Sequence, residues 1–311
     1  MAYSARVTPG RTPEPTARMK LPDFFETDRP IIEAALERHL PSKQTHPSSI
    51  HEAMRYSVFA GGKRIRPILC LEAARLFADP PDAAVPVGCA LEFIHTYSLI
   101  HDDLPALDND DLRRGKPTCH KKFGEAIAIL AGDGLLTLAF ETLANAPLAP
   151  ERRVKVIAEI GTAAGTVRGM VGGQVADLEA EGKPPNAATL EYIHRSKTAA
   201  LIRASIVAGG IAGGAGEGDV TRLRNFGENI GWAFQVVDDI LDVEESSAAL
   251  GKTAGKDEAQ KKLTYPALYG LEKSREIAAD LAQRAREELQ PYCERATPLQ
   301  ELAQYLIERR A

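Results

Sequence analysis

Two clusters of aspartate residues, each placed directly after an apolar stretch, constrain this chain more than any other feature of its sequence. The first cluster, Asp102–Asp108, ends an apolar stretch that begins at Ala84. The second, Asp238–Asp242, follows the nearly uniformly apolar stretch 230–237. Carboxylates at the end of a buried helix repel one another and are costly to desolvate. The sequence therefore predicts that both clusters border a site for a multivalent cation.

Composition and periodicity predict an all-α fold. Of the 311 residues, 44% are apolar and only 6% are aromatic, and runs of alternating β-branched residues are nearly absent. Glycine and proline separate the stretches of helical period by short turns rather than by domain linkers. We therefore expect a disordered arm over 1–28 and a single helical domain over 29–311. The predicted helices are 31–40, 49–60, 67–77, 84–104, 124–144, 151–179, 188–212, 219–243, 265–289 and 298–309.

Charge, cysteine usage and the N-terminal residues exclude several classes of protein. The net charge is −5, and no basic stretch carries interleaved aromatic residues, which argues against nucleic acid as a partner. No apolar run predicts a membrane span or a secretory signal. The cysteines show neither paired nor zinc-like spacing, so we expect reduced thiols and a cytoplasmic protein. An arginine-rich, acid-poor start leaves an organelle transit peptide as the alternative. The four cysteines are Cys70, Cys89, Cys119 and Cys293.

The first aspartate cluster needs a break in its helix before its members can share a ligand. Asp102 and Asp108 are six positions apart, which places them about 240° around a continuous helix. Pro105 lies between them and removes a backbone hydrogen bond, so the chain should bulge there and return Asp108 towards Asp102. Asp110 and Asp111 are expected to form a solvated edge.

The second cluster needs no such break. Asp238 and Asp242 are four positions apart and project from one helical face, with Asp239 about 100° around the helix. Phe234 and Gln235 lie one turn earlier, near that face. Carboxylates without nearby cysteine ligands suit Mg²⁺ or Mn²⁺, and Mg²⁺ commonly shares its coordination shell with substrate phosphates. A phosphate-bearing substrate is therefore expected.

Basic residues accompany the acidic clusters. Gly61–Pro67 places Lys63 and Arg66 on a glycine-rich turn at a helix start, where backbone N–H groups favour an anion. A protein that only stored metal would not need cations beside its carboxylates, whereas a diphosphate bridged to Mg²⁺ needs donors on its other side. His95 and Lys197-Thr198 are weaker candidates for the same site. The cations that follow the two clusters are Arg113, Arg114, Lys252 and Lys262.

Three segments together resemble the trans-isoprenyl diphosphate synthases. They are Leu91–Asp103, the Leu112-Arg113-Arg114-Gly115 that follows it, and Gly231–Asp242. The resemblance extends over about residues 61–270. It implies a bundle of long helices around a deep central cavity, usually in a homodimer, and a Mg²⁺-dependent head-to-tail condensation of isopentenyl diphosphate with an allylic diphosphate.

The resemblance also assigns roles to individual residues. It places Mg²⁺ and the allylic diphosphate on Asp102, Asp108 and Asp238, with Asp103, Asp239 and Asp242 in the same site. Around that diphosphate it places Arg113, Lys197, Thr198, Gln235, Lys252 and Lys262. It assigns isopentenyl diphosphate to Lys63, Arg66, His95 and Arg114.

Product length is expected to depend on what blocks the cavity below the first cluster. Ser98 lies one helical turn before Asp102 on the same face, and Tyr97 borders that face. An aromatic residue at Tyr97, together with the expanded first motif, resembles bacterial farnesyl diphosphate synthases. Because some geranylgeranyl diphosphate synthases share the expanded motif, that product is the alternative.

Three other functions compete with this interpretation. The pair His101-Asp102, with His95 nearby, would suit an HD-type metal phosphohydrolase, but that reading leaves the second cluster unexplained. A class I terpene cyclase shares the first motif, yet it would normally carry a different metal motif in place of Asp238–Asp242. A non-catalytic partner subunit would not need the metal ligands.

Overall fold

The protein is described by a computed structural model over residues 22–184, 186–250 and 264–308. Within these ranges it is a bundle of helices with one small hairpin, which confirms the all-α prediction. The helices are α1 Phe24–His39, α2 Ser48–Val58, α3 Ile65–Arg75, α4 Val85–Asp102, α5 Cys119–Phe123, α6 Glu125–Ala144, α7 Pro150–Ala164, α8 Met170–Ala180, α9 Ala187–Ile193, α10 Ala200–Gly213, α11 Glu217–Leu250, α12 Tyr265–Tyr269, α13 Leu271–Glu288 and α14 Thr297–Glu308. The hairpin strands are β1 Leu112–Arg113 and β2 Lys116–Pro117, and short 3₁₀ turns cover Asp82–Ala84 and Gln290–Ala296.

Helix α4 runs through the middle of the bundle. It packs against α1, α2, α3, α6 and α10, and Leu91, Phe93 and Ile94 are fully buried. A helix that is apolar around most of its circumference is buried on all sides, as the sequence predicted for this stretch. The first aspartate cluster at its C-terminal end is therefore fixed by the core.

Helices α3 and α10 approach each other more closely than side chains normally allow. A Cβ atom on Gly209 would lie 2.1 Å from the carbonyl oxygen of Cys70, and one on Gly213 would lie 2.5 Å from that of Ala74. Because the two glycines are four positions apart, they form a smooth strip on one face of α10. This strip allows the middle and the C-terminal end of α3 to pack directly against α10.

Several predicted helix boundaries are wrong. The predicted helix 151–179 is divided into α7 and α8, because the chain leaves the helical conformation at Gly165 and resumes it after Gly169. The predicted helix 265–289 is divided at Gly270, whose φ of 79° is a left-handed conformation that glycine tolerates. The hairpin at 112–117 was not predicted, because two-residue strands are too short for an alternating pattern.

The N-terminal boundary was also misplaced. Helix α1 begins at Phe24, inside the predicted arm 1–28, and Phe25 and Asp28 are buried. Asp28 accepts a hydrogen bond of 2.6 Å from Nη1 of Arg75, which explains why a charged side chain is buried there. The remainder of the arm, residues 1–21, lies outside the described residues.

Two helical stretches have the length and hydropathy of a membrane span by composition alone. The stretch Asp82–Asp102 has a mean hydropathy of 1.3 and consists of the core helix α4 and its preceding turn. About two thirds of its most apolar part, 67%, is buried inside the protein. The stretch Glu125–Ala144, helix α6, has a mean hydropathy of 1.6 but is only 39% buried. A large apolar part of α6 is therefore uncovered in the single chain.

Candidate active site

The first aspartate cluster folds back on itself, as Pro105 predicted. Helix α4 ends at Asp102, and the backbone N–H of Asp108 donates a hydrogen bond of 2.8 Å to the carbonyl oxygen of Asp102. Asn109, with a φ of 52°, continues the turn and donates to the carbonyl of Leu104. The bulge therefore returns the backbone of Asp108 to the end of the helix, whereas a continuous helix would have carried it to another face.

Asp102 is a half-buried carboxylate in a crowded electrostatic environment. Burial raises its pKa to about 6, and the neighbouring carboxylates of Asp108 and Asp103 raise it further. Lys197 and Arg113 act in the opposite direction but do not restore the ordinary value. Burial, assisted by the neighbouring carboxylates, therefore makes Asp102 ionise less readily than it does in water.

Asp103 has a cationic partner. Nε of Arg113 donates to both of its carboxylate oxygens, at 2.8 and 3.0 Å, and Nη2 also donates to Oδ1. Arg113 ends strand β1, and the next residues, Arg114 and Gly115, form the hairpin turn with φ angles of 53° and 73°. Left-handed angles at both turn positions are typical of a tight two-residue hairpin. The unpredicted hairpin therefore positions the two arginines that follow the first cluster.

The second cluster lies on α11, about two thirds of the way along the helix. Gln235 donates a hydrogen bond of 3.3 Å from Nε2 to Asp238. Burial raises the pKa of Asp239 to about 7, although its Oδ2 accepts a hydrogen bond of 2.8 Å from the backbone N–H of Tyr265. His194 Nε2 lies 3.5 Å from the same oxygen. Asp242, one turn further on, is exposed.

Lys197 and Thr198 lie on a π-helical segment, His194–Ala199, between α9 and α10. Such segments interrupt α-helices mostly as single wide turns and frequently mark functional sites. Nζ of Lys197 donates a hydrogen bond of 2.7 Å to Asp177 on α8. The backbones of α8 and this segment touch, because a Cβ atom on Gly173 would lie 2.3 Å from the backbone nitrogen of Lys197.

The basic turn between α2 and α3 lies against His95 on α4. Arg66 is half-buried, and its Nε is buried without a hydrogen-bond partner among the residues that the structure describes. Burial, together with the charges of Arg66 and Arg114, lowers the pKa of His95 well below its ordinary value. Lys63 is exposed and donates a hydrogen bond of 3.4 Å to the hydroxyl of Tyr305 on α14. An unpaired buried guanidinium nitrogen is a ready donor for an anion.

A cavity of about 390 Å³ joins these groups. Its charged lining includes Asp102, Arg66 and Lys197, and Thr198 and His95 also border it. The rest is largely apolar and comes from α4, the bulge and α8. These further lining residues are Tyr97, Ser98, Leu99, His101, Leu107, Met170, Val171, Gln174, Val175 and Leu178. The cavity therefore offers a charged region and a hydrocarbon-like wall to one molecule.

Asp102 of the first cluster lines this cavity, whereas the second cluster is connected to it through charge interactions with its neighbours. Arg66 lines the cavity with Asp102 and is near enough to Asp238 for that carboxylate to raise its pKa, although burial lowers the pKa overall. On the other side, Asp177 binds Lys197 and also raises the pKa of Asp239. Arg66, and Lys197 together with Asp177, therefore connect the two clusters through charge interactions.

The carboxylates suit a divalent cation but do not form a finished binding site for one. Within 22–184, 186–250 and 264–308, no three His, Cys, Asp or Glu side chains are close enough together to hold an ion. Burial raises the pKa of both Asp102 and Asp239, and neighbouring aspartates add to the effect. Hard oxygen donors of this kind fit Mg²⁺, which also takes oxygens from water and substrate phosphates.

The structure brings several of the predicted site residues together. Asp102, Arg66, His95, Lys197 and Thr198 meet at the cavity, and Tyr97 and Ser98 form part of its wall. Asp108 does not line the cavity, although its backbone returns to that of Asp102. Phe234 packs beside the core one turn before Asp238. Asp110 and Asp111 are exposed, as expected of a solvated edge. Lys252 and Lys262 lie outside the described residues, and their roles stay predictions.

Other residues of the site were not predicted from the sequence. They include Asp177, which binds Lys197, and His194 and Tyr265, which contact Asp239. The one available signal was the presence of Gln174 and Asp177 on the largely apolar α8. His101, considered for a phosphohydrolase, lines the cavity and donates from Nε2 to the carbonyl of Ile129 on α6 at 3.1 Å.

Comparisons with known proteins agree with this geometry. The sequence profile of the polyprenyl synthetase family matches residues 47–296. The heterodimeric geranylgeranyl pyrophosphate synthase large subunit 1, chloroplastic, of Arabidopsis thaliana is 50% identical, over 96% of this chain and 83% of that protein. A dimethylallyltranstransferase of Fischerella ambigua is 48% identical, over 94% of this chain and 85% of that protein. The crystal structure of an FPP/GFPP synthase from Zymomonas mobilis has a TM-score of 0.82 and 38% identity, over 91% of this chain and 97% of that one. The chain therefore belongs to the polyprenyl synthetase family and is a prenyltransferase.

Proposed function

We propose that the protein condenses isopentenyl diphosphate head to tail with an allylic diphosphate in the presence of Mg²⁺. The observation that carries this proposal is one cavity with Asp102, Arg66 and Lys197 in its charged region and an apolar wall along α8. An allylic diphosphate has a charged diphosphate group and an apolar hydrocarbon chain, which match these two regions. The match to the polyprenyl synthetase family supports the reaction class.

The allylic diphosphate is assigned to the side of the two aspartate clusters. Asp102, Asp108 and Asp238 would hold Mg²⁺, with Asp103, Asp239 and Asp242 nearby. The metal would neutralise the diphosphate as it leaves. Lys197 faces the same region, where its charge opposes the negative charge that develops on the leaving group. At an effective dielectric near 20, one unit charge about 4 Å away contributes roughly 4 kcal/mol, or about a thousandfold in rate.

Isopentenyl diphosphate is assigned to the basic turn. Lys63, Arg66 and Arg114 supply cations, and Arg66 has a buried donor that no described residue uses. His95 is held neutral by burial and by the surrounding arginines, so it serves as a hydrogen-bonding group rather than as a further cation. The double bond of this substrate attacks the allylic carbon, and the released diphosphate takes the proton.

We propose farnesyl diphosphate as the product. The ring of Tyr97 is buried at the wall of the cavity, five residues before Asp102 on α4, where it limits the length of a hydrocarbon chain. A second candidate is geranylgeranyl diphosphate, which is favoured by the name of the 50% identical plant relative.

A homodimer in the cytoplasm is the proposed state of the protein. Helix α6 leaves Ile129 and Leu130 exposed by 43% and 51%, and a helix of this hydropathy needs a partner for its uncovered face. A second copy would supply the same apolar surface by two-fold symmetry. The cytoplasmic location, inferred from the cysteine usage, and the alternative of a transit peptide both stay predictions.

Incubation of the purified protein with Mg²⁺, isopentenyl diphosphate and dimethylallyl diphosphate tests the proposal. Chromatography should show a prenyl diphosphate of fifteen carbons together with free diphosphate. A twenty-carbon product would favour the second candidate. Release of phosphate alone, a cyclic hydrocarbon or no turnover would instead indicate the hydrolase, the cyclase or the non-catalytic subunit.

A further inference from the structure

The turn that carries Lys63 and Arg66 has an unusual backbone. Gly61 and Gly62 have φ angles of 107° and 130°, and Arg64, the residue that precedes α3, has a φ of 55°. Glycine adopts left-handed angles without penalty, but a residue with a long side chain rarely does. Something other than local preference must therefore hold Arg64 in place.

The side chain of Arg64 provides that restraint. Nη1 donates to Glu92 on α4 at 2.6 Å, Nε donates to Glu33 on α1 at 2.8 Å, and Nη2 donates to the carbonyl of Val58 on α2 at 2.7 Å. The side chains of Arg64 and Glu92 are only 2% and 5% exposed. The rigid fork of a guanidinium group allows one side chain to bind all three helices at once.

Glu92 also acts on the cations of the diphosphate site. Its carboxylate favours the charged forms of Arg64, Arg66 and Arg114, raising the pKa of each against the effect of burial. Without a common counter-charge, these arginines would repel one another in a partly desolvated space. Glu92 thus stabilises the crowding of cations that a diphosphate requires.

Arg114 completes the assembly from the hairpin. Its Nη1 donates to the carbonyl of Gly61, and a Cβ atom on Gly62 would lie 2.7 Å from the same nitrogen. The turn, Arg114 and Arg64 therefore form one packed unit, and a shift of the turn would move Lys63, Arg66 and Arg114 relative to one another.

We propose that Arg64, anchored by Glu92 and Glu33, is a positioning residue for isopentenyl diphosphate: it contacts no substrate itself but fixes the turn that presents Lys63 and Arg66. This inference rests on the proposed function. It predicts different effects on the two substrates, because the hydrogen bonds of Lys197 to Asp177 and of Arg113 to Asp103 do not involve Arg64.

The test uses substitutions that preserve charge. Arg64→Lys keeps the positive charge but lacks the fork, and Glu92→Asp keeps the negative charge but withdraws the carboxylate by one methylene. Arg75→Lys is the matched control, because Arg75 binds the buried carboxylates of Asp28 and Glu72 away from the cavity. Steady-state kinetics of the full chain would be measured with each substrate varied, and thermal unfolding would be followed by circular dichroism.

In Arg64→Lys and Glu92→Asp, we expect the KM for isopentenyl diphosphate to rise about tenfold, the effect of one lost charged contact. The KM for geranyl diphosphate should stay within about twofold of the wild type. Arg75→Lys should lower the unfolding temperature and change neither KM. If Arg64→Lys does not fold, Glu92→Asp carries the same expectation.

The inference is overturned if the folded variants keep the wild-type KM for isopentenyl diphosphate, or if both KM values rise together. A wild-type protein that makes no prenyl product would refute the proposed function and this inference with it. An active wild type whose variants show no separation between the two substrates would refute the positioning role alone.

Discussion

The contact between α8 and the π-helical segment gives a sharp test of the site. A Cβ atom on Gly173 would lie 2.3 Å from the backbone nitrogen of Lys197 and 2.6 Å from its Cα. Non-bonded carbon and nitrogen atoms pack at about 3.5 Å, so the two segments must separate by about 1 Å in Gly173→Ala. The clash involves backbone, which cannot rotate away as the end of a side chain can.

We expect two consequences of Gly173→Ala. Overpacking of this kind costs about 1–3 kcal/mol of unfolding free energy. The displacement also shifts Lys197, which contacts Asp177 at 2.7 Å and lies near Asp102. A misplacement of about 1 Å at a catalytic group can lower the rate by up to about a hundredfold, so kcat should fall at least tenfold.

The matched control is Gly218→Ala on α11. A Cβ atom on Gly218 meets nothing within 4 Å, and the helix prefers alanine there. This variant should be more stable by up to about 1 kcal/mol and fully active. Urea unfolding and turnover of isopentenyl and allylic diphosphates would be measured for both. If Gly173→Ala proves as stable and as active as Gly218→Ala, the close contact between α8 and Lys197 does not exist in solution.

Three further predictions follow from individual side chains. Tyr97→Ala should lengthen the prenyl product, and chromatography that shows an unchanged chain length would exclude Tyr97 as the block. EDTA should abolish turnover and Mg²⁺ restore it, while Asp102→Asn should lower kcat about a thousandfold, the effect of roughly 4 kcal/mol. Burial, together with Asp28, raises the pKa of Glu72, so the folded state retains a proton that the unfolded state loses, and stability should fall as the pH rises above the ordinary value of 4.5. Melting curves of Glu72→Gln should lack that fall; an identical pH dependence would contradict it.

The acidic half of the site could be predicted from the sequence because its determinants are local. The bulge at Pro105 follows from the missing N–H of one residue, and the common face of Asp238 and Asp242 follows from helical geometry. The hydrogen bond from Asp108 to Asp102 agrees with that prediction. The geometry of a single helix was sufficient wherever the carboxylates and the residue that shapes the backbone lay within about one helical turn of each other.

The supporting side chains could not be predicted in the same way. Asp177 meets Lys197 across two helices, and Glu92 meets Arg64 across the bundle, so each pairing depends on tertiary packing. The break between α7 and α8 was missed for a related reason. Gly165 and Gly169 are tolerated within a helical pattern, and only the packing of α8 against the π-helical segment decides that the chain bends there.

The balance of charge in the site points to how it operates. Arg64, Arg113 and Lys197 each have a carboxylate partner, Glu92, Asp103 and Asp177 respectively. These cations are therefore held in position before any substrate arrives. Preorganised donors need little rearrangement when negative charge develops on a leaving group.

Asp102 and Asp239, in contrast, are carboxylates whose negative charge is not neutralised by the chain. The pKa of Asp102 is raised to about 6 and that of Asp239 to about 7, first of all by burial and then by neighbouring aspartates. Lys197 and Arg113 lower the pKa of Asp102 in turn but do not cancel the effect of burial. A divalent ion that arrives with a diphosphate would supply the missing positive charge and favour the ionised form of both residues. Arg64, Arg113 and Lys197 are thus held in place by the chain itself, whereas we expect the carboxylates to be completed by metal and substrate together.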